Sequence, residues 1–193
     1  MISPLITFLI AGLATPGPNV IMLTTSGARF GARATWPHLI GVVLGVGVIG
    51  AVSGLGVGAL LQANPKLGFT LQIISAVWIL WMAFALLQQS KSRQSRIADR
   101  PMRMFEAVLF QWVNAKVWAV ALAASSAYSI GLPPIEDAMR LGLAFSSVNL
   151  FVCIFWTYSG QLLARLLNSA RAWWIFRLVM ATFLALSALL IFI

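Results

Sequence analysis

Apolar residues in this chain arrive in long runs rather than in the alternating or one-sided patterns of a soluble fold. A helix needs roughly 20 mostly apolar residues to cross the hydrocarbon of a bilayer. Six runs meet that length, at residues 5–25, 38–61, 67–88, 105–128, 141–163 and 173–193. The pattern predicts an all-α membrane protein of six transmembrane helices in a single domain. Gln89 to Met104 is the longest polar linker and divides that domain into residues 1–89 and 105–193, with a basic loop over 90–104 between them. Three spans on each side make the second half enter the membrane from the opposite face, which is the arithmetic of an inverted repeat.

The first run carries a sequence that no ordinary helix interior tolerates: Thr15-Pro16-Gly17-Pro18-Asn19. Each proline removes a backbone donor, the residue before each is pushed out of the α region, and Gly17 weakens the helix further. The first helix is therefore expected to break at Thr15–Asn19. Opened backbone in a membrane survives only where it faces protein or lines a cavity. The ends of two half-helices meeting there would offer a positive N-terminus to a carboxylate and freed carbonyls to an ammonium.

A second polar site lies in the fourth run, where Gln111, Asn114 and Lys116 interrupt an apolar helix. A cation near the bilayer centre costs roughly 2.5–3.5 kcal/mol on insertion scales and is by default a functional candidate facing the bundle interior. Glu106, ten residues earlier, would lie about 15 Å away along a straight helix and makes a poor partner. That leaves helix-end carbonyls, water or an incoming anion for Lys116. Asn19 and Asn114 can each donate and accept. The two sites together predict one chamber for a small zwitterionic substrate.

Composition agrees with the spans. Hydrophobic residues make up 61% of the 193 positions and charged residues 9%, against roughly a quarter charged in a soluble domain, so the net charge of +9 speaks for membrane orientation rather than nucleic-acid binding. Ten of the 13 basic residues fall on one side of the predicted spans: Arg29 and Arg33; Lys91, Arg93, Arg96, Arg100 and Arg103; Arg165, Arg171 and Arg177. Cytoplasmic loops carry the excess of Lys and Arg, which puts both termini outside. The N-terminus has no basic leader and reads as an uncleaved first span. Trp36, Trp173 and Trp174 fall near span ends, as interfacial anchors do.

Glycine concentrates in the second run, at Gly41, Gly45, Gly50, Gly54 and Gly58. Small residues four apart let helix backbones approach closely, within the chain or, alternatively, across a homodimer. Enzymatic chemistry has no candidates: Cys153 and His38 are each the single residue of their type, with no metal-ligand spacing, no paired carboxylates and no triad. His38 reads as a membrane-edge residue. No metal or cofactor is expected. The alternatives are a transporter of another small solute or ion, where the Lys116 charge argues against a cation, and a non-transporting scaffold subunit, which has no reason to bear two expensive polar defects in apolar helices.

At these residues the chain resembles the lysine exporter (LysE/RhtB) family of bacterial inner-membrane proteins. The likeness rests on Thr15-Pro16-Gly17-Pro18-Asn19, the glycine-rich second span with Gly41 and Gly45, the basic central loop, and Asn114-Ala115-Lys116. It implies six helices in two inverted halves and proton-motive-force-driven efflux of amino acids or close derivatives, with both motifs lining the path. Two departures bear on this. The family's fourth-span motif is usually Asn-Pro-Lys, and Ala115 leaves open whether that span breaks. Val46 stands where members often have an acid after the second glycine, leaving Lys116 or Glu106 to couple transport to protons and lowering the expectation of a basic substrate.

Overall fold

A computed structural model describes residues 3–15, 17–57, 64–88, 100–128, 130–167 and 169–189. Pro16, Gly58 and most of the basic loop, with Lys91, Arg93 and Arg96, lie outside the described residues. The described chain is helical: α1 (Pro4–Ala14), α2 (Pro18–Phe30), α3 (Ala32–Val52) continued by a π-helical turn (Ser53–Val57), α4 (Pro65–Gln88), α5 (Met104–Trp112), α6 (Ala115–Ala127), α7 (Pro134–Ala164) and α8 (Ala170–Leu189).

Among the described residues, α3 with its π turn and α7 are each long and apolar enough to cross a membrane. The pairs α1 and α2, bent by 60°, and α5 and α6, bent by 63°, each qualify as one broken span, which brings the candidates to four. α4 and α8, which the sequence pattern takes as the third and sixth spans, pack against each other. They form an apolar cluster through Ile79, Ala83, Ala181 and Leu184, with Ile21 of α2 joining it. The larger core gathers Leu9, Leu39, Val46, Ile49, Leu141 and Phe145 from α1, α3 and α7, together with Val117 and Ala121 of α6.

Local sequence accounts for the element ends. α1 stops at Thr15, which is extended at φ −61°, ψ 141°, as the residue before a proline must be. The break is shorter than Thr15–Asn19: Pro18 and Asn19 already belong to the first turn of α2, where proline's missing donor costs nothing. α2 ends at Gly31, whose φ of +82° turns the chain into α3 while its N–H bonds the Gly27 carbonyl.

Three placements differ from the sequence reading. His38 lies inside α3, which begins six residues earlier than the second run, and it is 2% exposed with both ring nitrogens unpartnered. The fifth span begins before residue 141, because Pro134 opens α7 and Glu136 and Asp137 occupy its first turn, where the helix dipole favours acids. That puts an acid inside a span-length helix after all: Asp137 is buried and bonds Arg140 Nε at 2.8 Å, and Arg140 also donates to the Tyr128 carbonyl.

Gly41, Gly45, Gly47, Gly50 and Gly54 of α3 and its π turn pack within the chain, whereas Gly56 faces open space. Cβ atoms on Gly41 and Gly45 would meet α5 at Met104, Ala107 and Gln111. Those on Gly50 and Gly54 would meet α7 at Phe145 and Ala138. α2 and α7 touch backbone to backbone through Gly27 against Thr157 and Gly160 against Thr24.

Candidate functional site

Both helix breaks open onto one place. The first leaves Thr15 and Gly17 extended between α1 and α2. The second falls at Val113 and Asn114, and Asn114 is the N-cap of α6, a position for which asparagine has one of the highest preferences. No proline is needed here. The Asn114 carbonyl accepts from the Val117 and Trp118 amides, and the Trp118 indole donates to the carbonyl of Trp112 at the end of α5. A tryptophan side chain thus satisfies a backbone acceptor that the break sets free.

Lys116 reaches from the second break to the first. Its ammonium donates to the Thr15 carbonyl and, at 2.8 Å, to the Thr15 hydroxyl. Of the partners left open by the sequence, a helix-end carbonyl is the one used. The stem crosses Gly17 so closely that a Cβ there would lie 2.8 Å from Lys116 Cδ and 3.0 Å from Nζ. Gly17 is otherwise unremarkable backbone, at φ −170°, which any residue adopts.

A second tie runs through amides. Asn19 and Gln111 bond each other reciprocally, Asn19 Nδ2 to Gln111 Oε1 at 2.8 Å and Gln111 Nε2 to Asn19 Oδ1 at 3.2 Å. Gln111 Nε2 also donates to the Ala107 carbonyl, and Asn114 Nδ2 donates to Gln111 Oε1 at 3.3 Å. Gln111 is fully buried and is the residue the sequence did not assign, although it belongs to the same polar run. Its signal was an uncharged amide in an apolar helix, which a buried hydrogen-bonding group requires to be partnered.

Between the two breaks and α7 lies a pocket. Gly17, Pro18, Asn19, Asn114 and Lys116 line one wall. Asn149, Val152, Cys153 and Trp156 of α7 line another, with Leu13, Val20, Leu23 and Val117 between them. Asn114 and Asn149 are 1% and 2% exposed, and each presents an unpartnered atom: Asn114 Oδ1, an acceptor, and Asn149 Nδ2, a donor. Thr15, Gly17, Pro18, Asn19, Asn114 and Lys116 are therefore neighbours. Pro16 lies outside the described residues.

Glu106 is not brought to this pocket. It sits in the first turn of α5, paired with Arg100 at 2.6 Å and 2.9 Å and accepting from the Arg103 amide. That carboxylate raises the pKa of Arg100 above its usual value by direct hydrogen bonding. Among the described residues no group of three or more metal-ligating side chains is present.

The profile of the family described as LysE type translocator matches residues 10–193. A cysteine/O-acetylserine efflux protein of Klebsiella pneumoniae is 24% identical over 169 residues, covering 86% of this chain and 85% of that protein. Proteins of the same name from Salmonella paratyphi A and Escherichia coli are each 22% identical over the same shares. No solved structure matches.

Proposed function

This chain belongs to the LysE type translocator family, and from that premise we propose that it exports a small, uncharged-side-chain amino acid or a close derivative, bound as the zwitterion between the two helix breaks. It is an integral membrane transporter of the amino-acid efflux type and not an enzyme. The relatives' names, which pair cysteine with O-acetylserine, support a short, polar substrate. The observation that carries the reading is the buried pocket lined by both breaks. In it the Lys116 ammonium is held by a backbone carbonyl and a hydroxyl rather than by a carboxylate. A substrate carboxylate is the better partner for that cation and would take Thr15's place, because a charge-assisted bond to an anion is roughly twice as strong as one to a neutral acceptor.

The six-span, inverted-repeat architecture is part of this proposal. Its support is that α1–α2, α3 and α4 are matched by α5–α6, α7 and α8 in order, with bends of 60° and 63° at corresponding places. The proposed location is the bacterial inner membrane with both termini outside, and the proposed driving force is the proton motive force. Lys116 is the coupling group we favour over Glu106, since Lys116 lines the pocket and Glu106 is held by Arg100. A homodimer draws no support from Gly41, Gly45, Gly50 or Gly54, all of which pack inside the chain.

The test is efflux from cells preloaded with amino acids through peptides. The intact protein should export at least one small neutral amino acid, and Lys116→Ala at a matched membrane level should lower that flux by tenfold or more. Undiminished, pH-dependent export by Lys116→Ala would overturn the assignment of both substrate carboxylate and proton coupling to this residue.

A further inference from the structure

The pocket's two unpartnered polar atoms differ in kind, and that difference assigns them different jobs. A zwitterion brings an anionic acceptor and a cationic donor. The carboxylate is matched by Lys116. The ammonium has only hydrogens to offer and needs an acceptor, which Asn114 Oδ1 provides, its Nδ2 being already spent on Gln111. Asn149 Nδ2 is a donor and cannot serve an ammonium. It is also on a different wall. Asn149, Val152, Cys153 and Trp156 are spaced three, four and seven residues apart and so form one face of α7, and all four line the pocket. That face also carries the Trp156 indole N–H and the Cys153 thiol; of its nitrogen and oxygen atoms, Asn149 Nδ2 is the one that is fully buried and without a partner.

Resting on the amino-acid export reading above, we infer that Asn149 is the residue that reads the substrate's side chain, donating Nδ2 to an acceptor oxygen (hydroxyl, ether or ester) on a short side chain lying along α7. Burying a donor without a partner is costly, so a site of this kind discriminates against an isostere that leaves the donor empty. The pocket wall contributed by α7 carries no acid to attract a basic side chain. Val152 and Trp156 supply the apolar surface on which a methylene or methyl group of the substrate rests.

The experiment uses the full chain reconstituted in proteoliposomes with O-methyl-L-serine and L-norvaline, which match in heavy-atom count and differ by an ether oxygen in place of a methylene. The intact protein should transport O-methyl-L-serine in preference to norvaline by roughly tenfold or more. Asn149→Leu should remove that preference, bringing the ratio of the two fluxes to about one. Asn149→Asp gives a second reading that does not depend on the leucine variant folding: the carboxylate accepts but does not donate, so L-serine, whose hydroxyl can donate, should still be carried and O-methyl-L-serine should not. Equal transport of the pair by the intact protein, or a preference retained in Asn149→Leu, overturns the assignment. So does an equal loss of both substrates in Asn149→Leu, which would make Asn149 a carboxylate contact instead. If the intact protein carries none of the three amino acids, it is the export reading itself that fails.

Discussion

At the scale of single residues, the first break is written in the chain and its purpose is not. Pro16, Gly17 and Pro18 announce an opened helix because their backbone restrictions are covalent and local. Lys116 announces a need for a partner. That the partner is Thr15, 101 positions away, had no signature, because a freed carbonyl looks the same at every residue. The structure also gives Gly17 a role that its flexibility does not explain. Its extended backbone suits any residue, so the only obstacle to a side chain there is the Lys116 stem, 2.8 Å from where a Cβ would stand. Gly17→Ala should therefore fold, with a stability change below about 1 kcal/mol, since the displaced atoms belong to a flexible side chain. It should nevertheless push the ammonium off Thr15. Transport by Gly17→Ala should fall toward that of Lys116→Ala, and the double variant should be no worse than Lys116→Ala alone, the non-additivity expected of residues acting through one contact. Losses that add would mean that Gly17 meets the substrate directly.

At the scale of elements, the two breaks have different causes, and this is why one was legible and the other was not. The first is imposed by prolines. The second occurs at Val113 and Asn114 with alanine following, held by the Trp118 indole on the Trp112 carbonyl and the Gln111 amide between Asn19 and Asn114. These are tertiary contacts, invisible to a reading of local propensity. α7 shows the same limit in another form: an apolar-run criterion starts the helix at Leu141, whereas Pro134, Glu136 and Asp137 start it at a proline N1 with acids in the first turn. If the amide tie joins the breaks, cutting both sides should cost less than the two single cuts added. Gln111→Leu leaves the Asn19 amide without its reciprocal partner and should destabilise by about 1–3 kcal/mol. Asn19→Leu should do the same to Gln111. The combination Asn19→Leu with Gln111→Leu puts apolar groups against each other and should be less costly than the two single losses added. Thermal unfolding of the three detergent-solubilised variants measures this, and strictly additive losses would mean that the two amides are not each other's partners.

At the scale of the molecule, the helix contacts sort the charged residues by end. The Ala32 amide bonds Gln161 Oε1, Gly27 meets Thr157, and Gly41 meets Met104. The end of α2, the start of α3 and the end of α7 thus lie together, and the start of α5 lies against the middle of α3. Arg29, Arg33, Arg100, Arg103 and Arg165 all belong to those ends. At the other end Gly54 meets Ala138, Arg140 donates to the Tyr128 carbonyl, and the Phe8 ring packs on Tyr128 at 5.3 Å. That end holds Glu136 and Asp137 in the first turn of α7. The sequence expects ten basic residues on one side from loop parity, and these contacts bear on five of them. An anionic cytoplasmic leaflet attracts the arginine-rich end, worth about 1 kcal/mol for each basic residue near the surface. In the proposed orientation, with the arginine-rich end cytoplasmic, many small terms share one sign, and moving a single arginine should not reverse it. Single cysteines at Arg33 or Ser169 on the basic end, and at Ile130 or Glu136 on the other, in a Cys153→Ala background, give the readout. In intact cells a membrane-impermeant thiol reagent should label the cysteines at positions 130 and 136 and spare those at 33 and 169 until the cells are opened. The reverse pattern would place the termini in the cytoplasm.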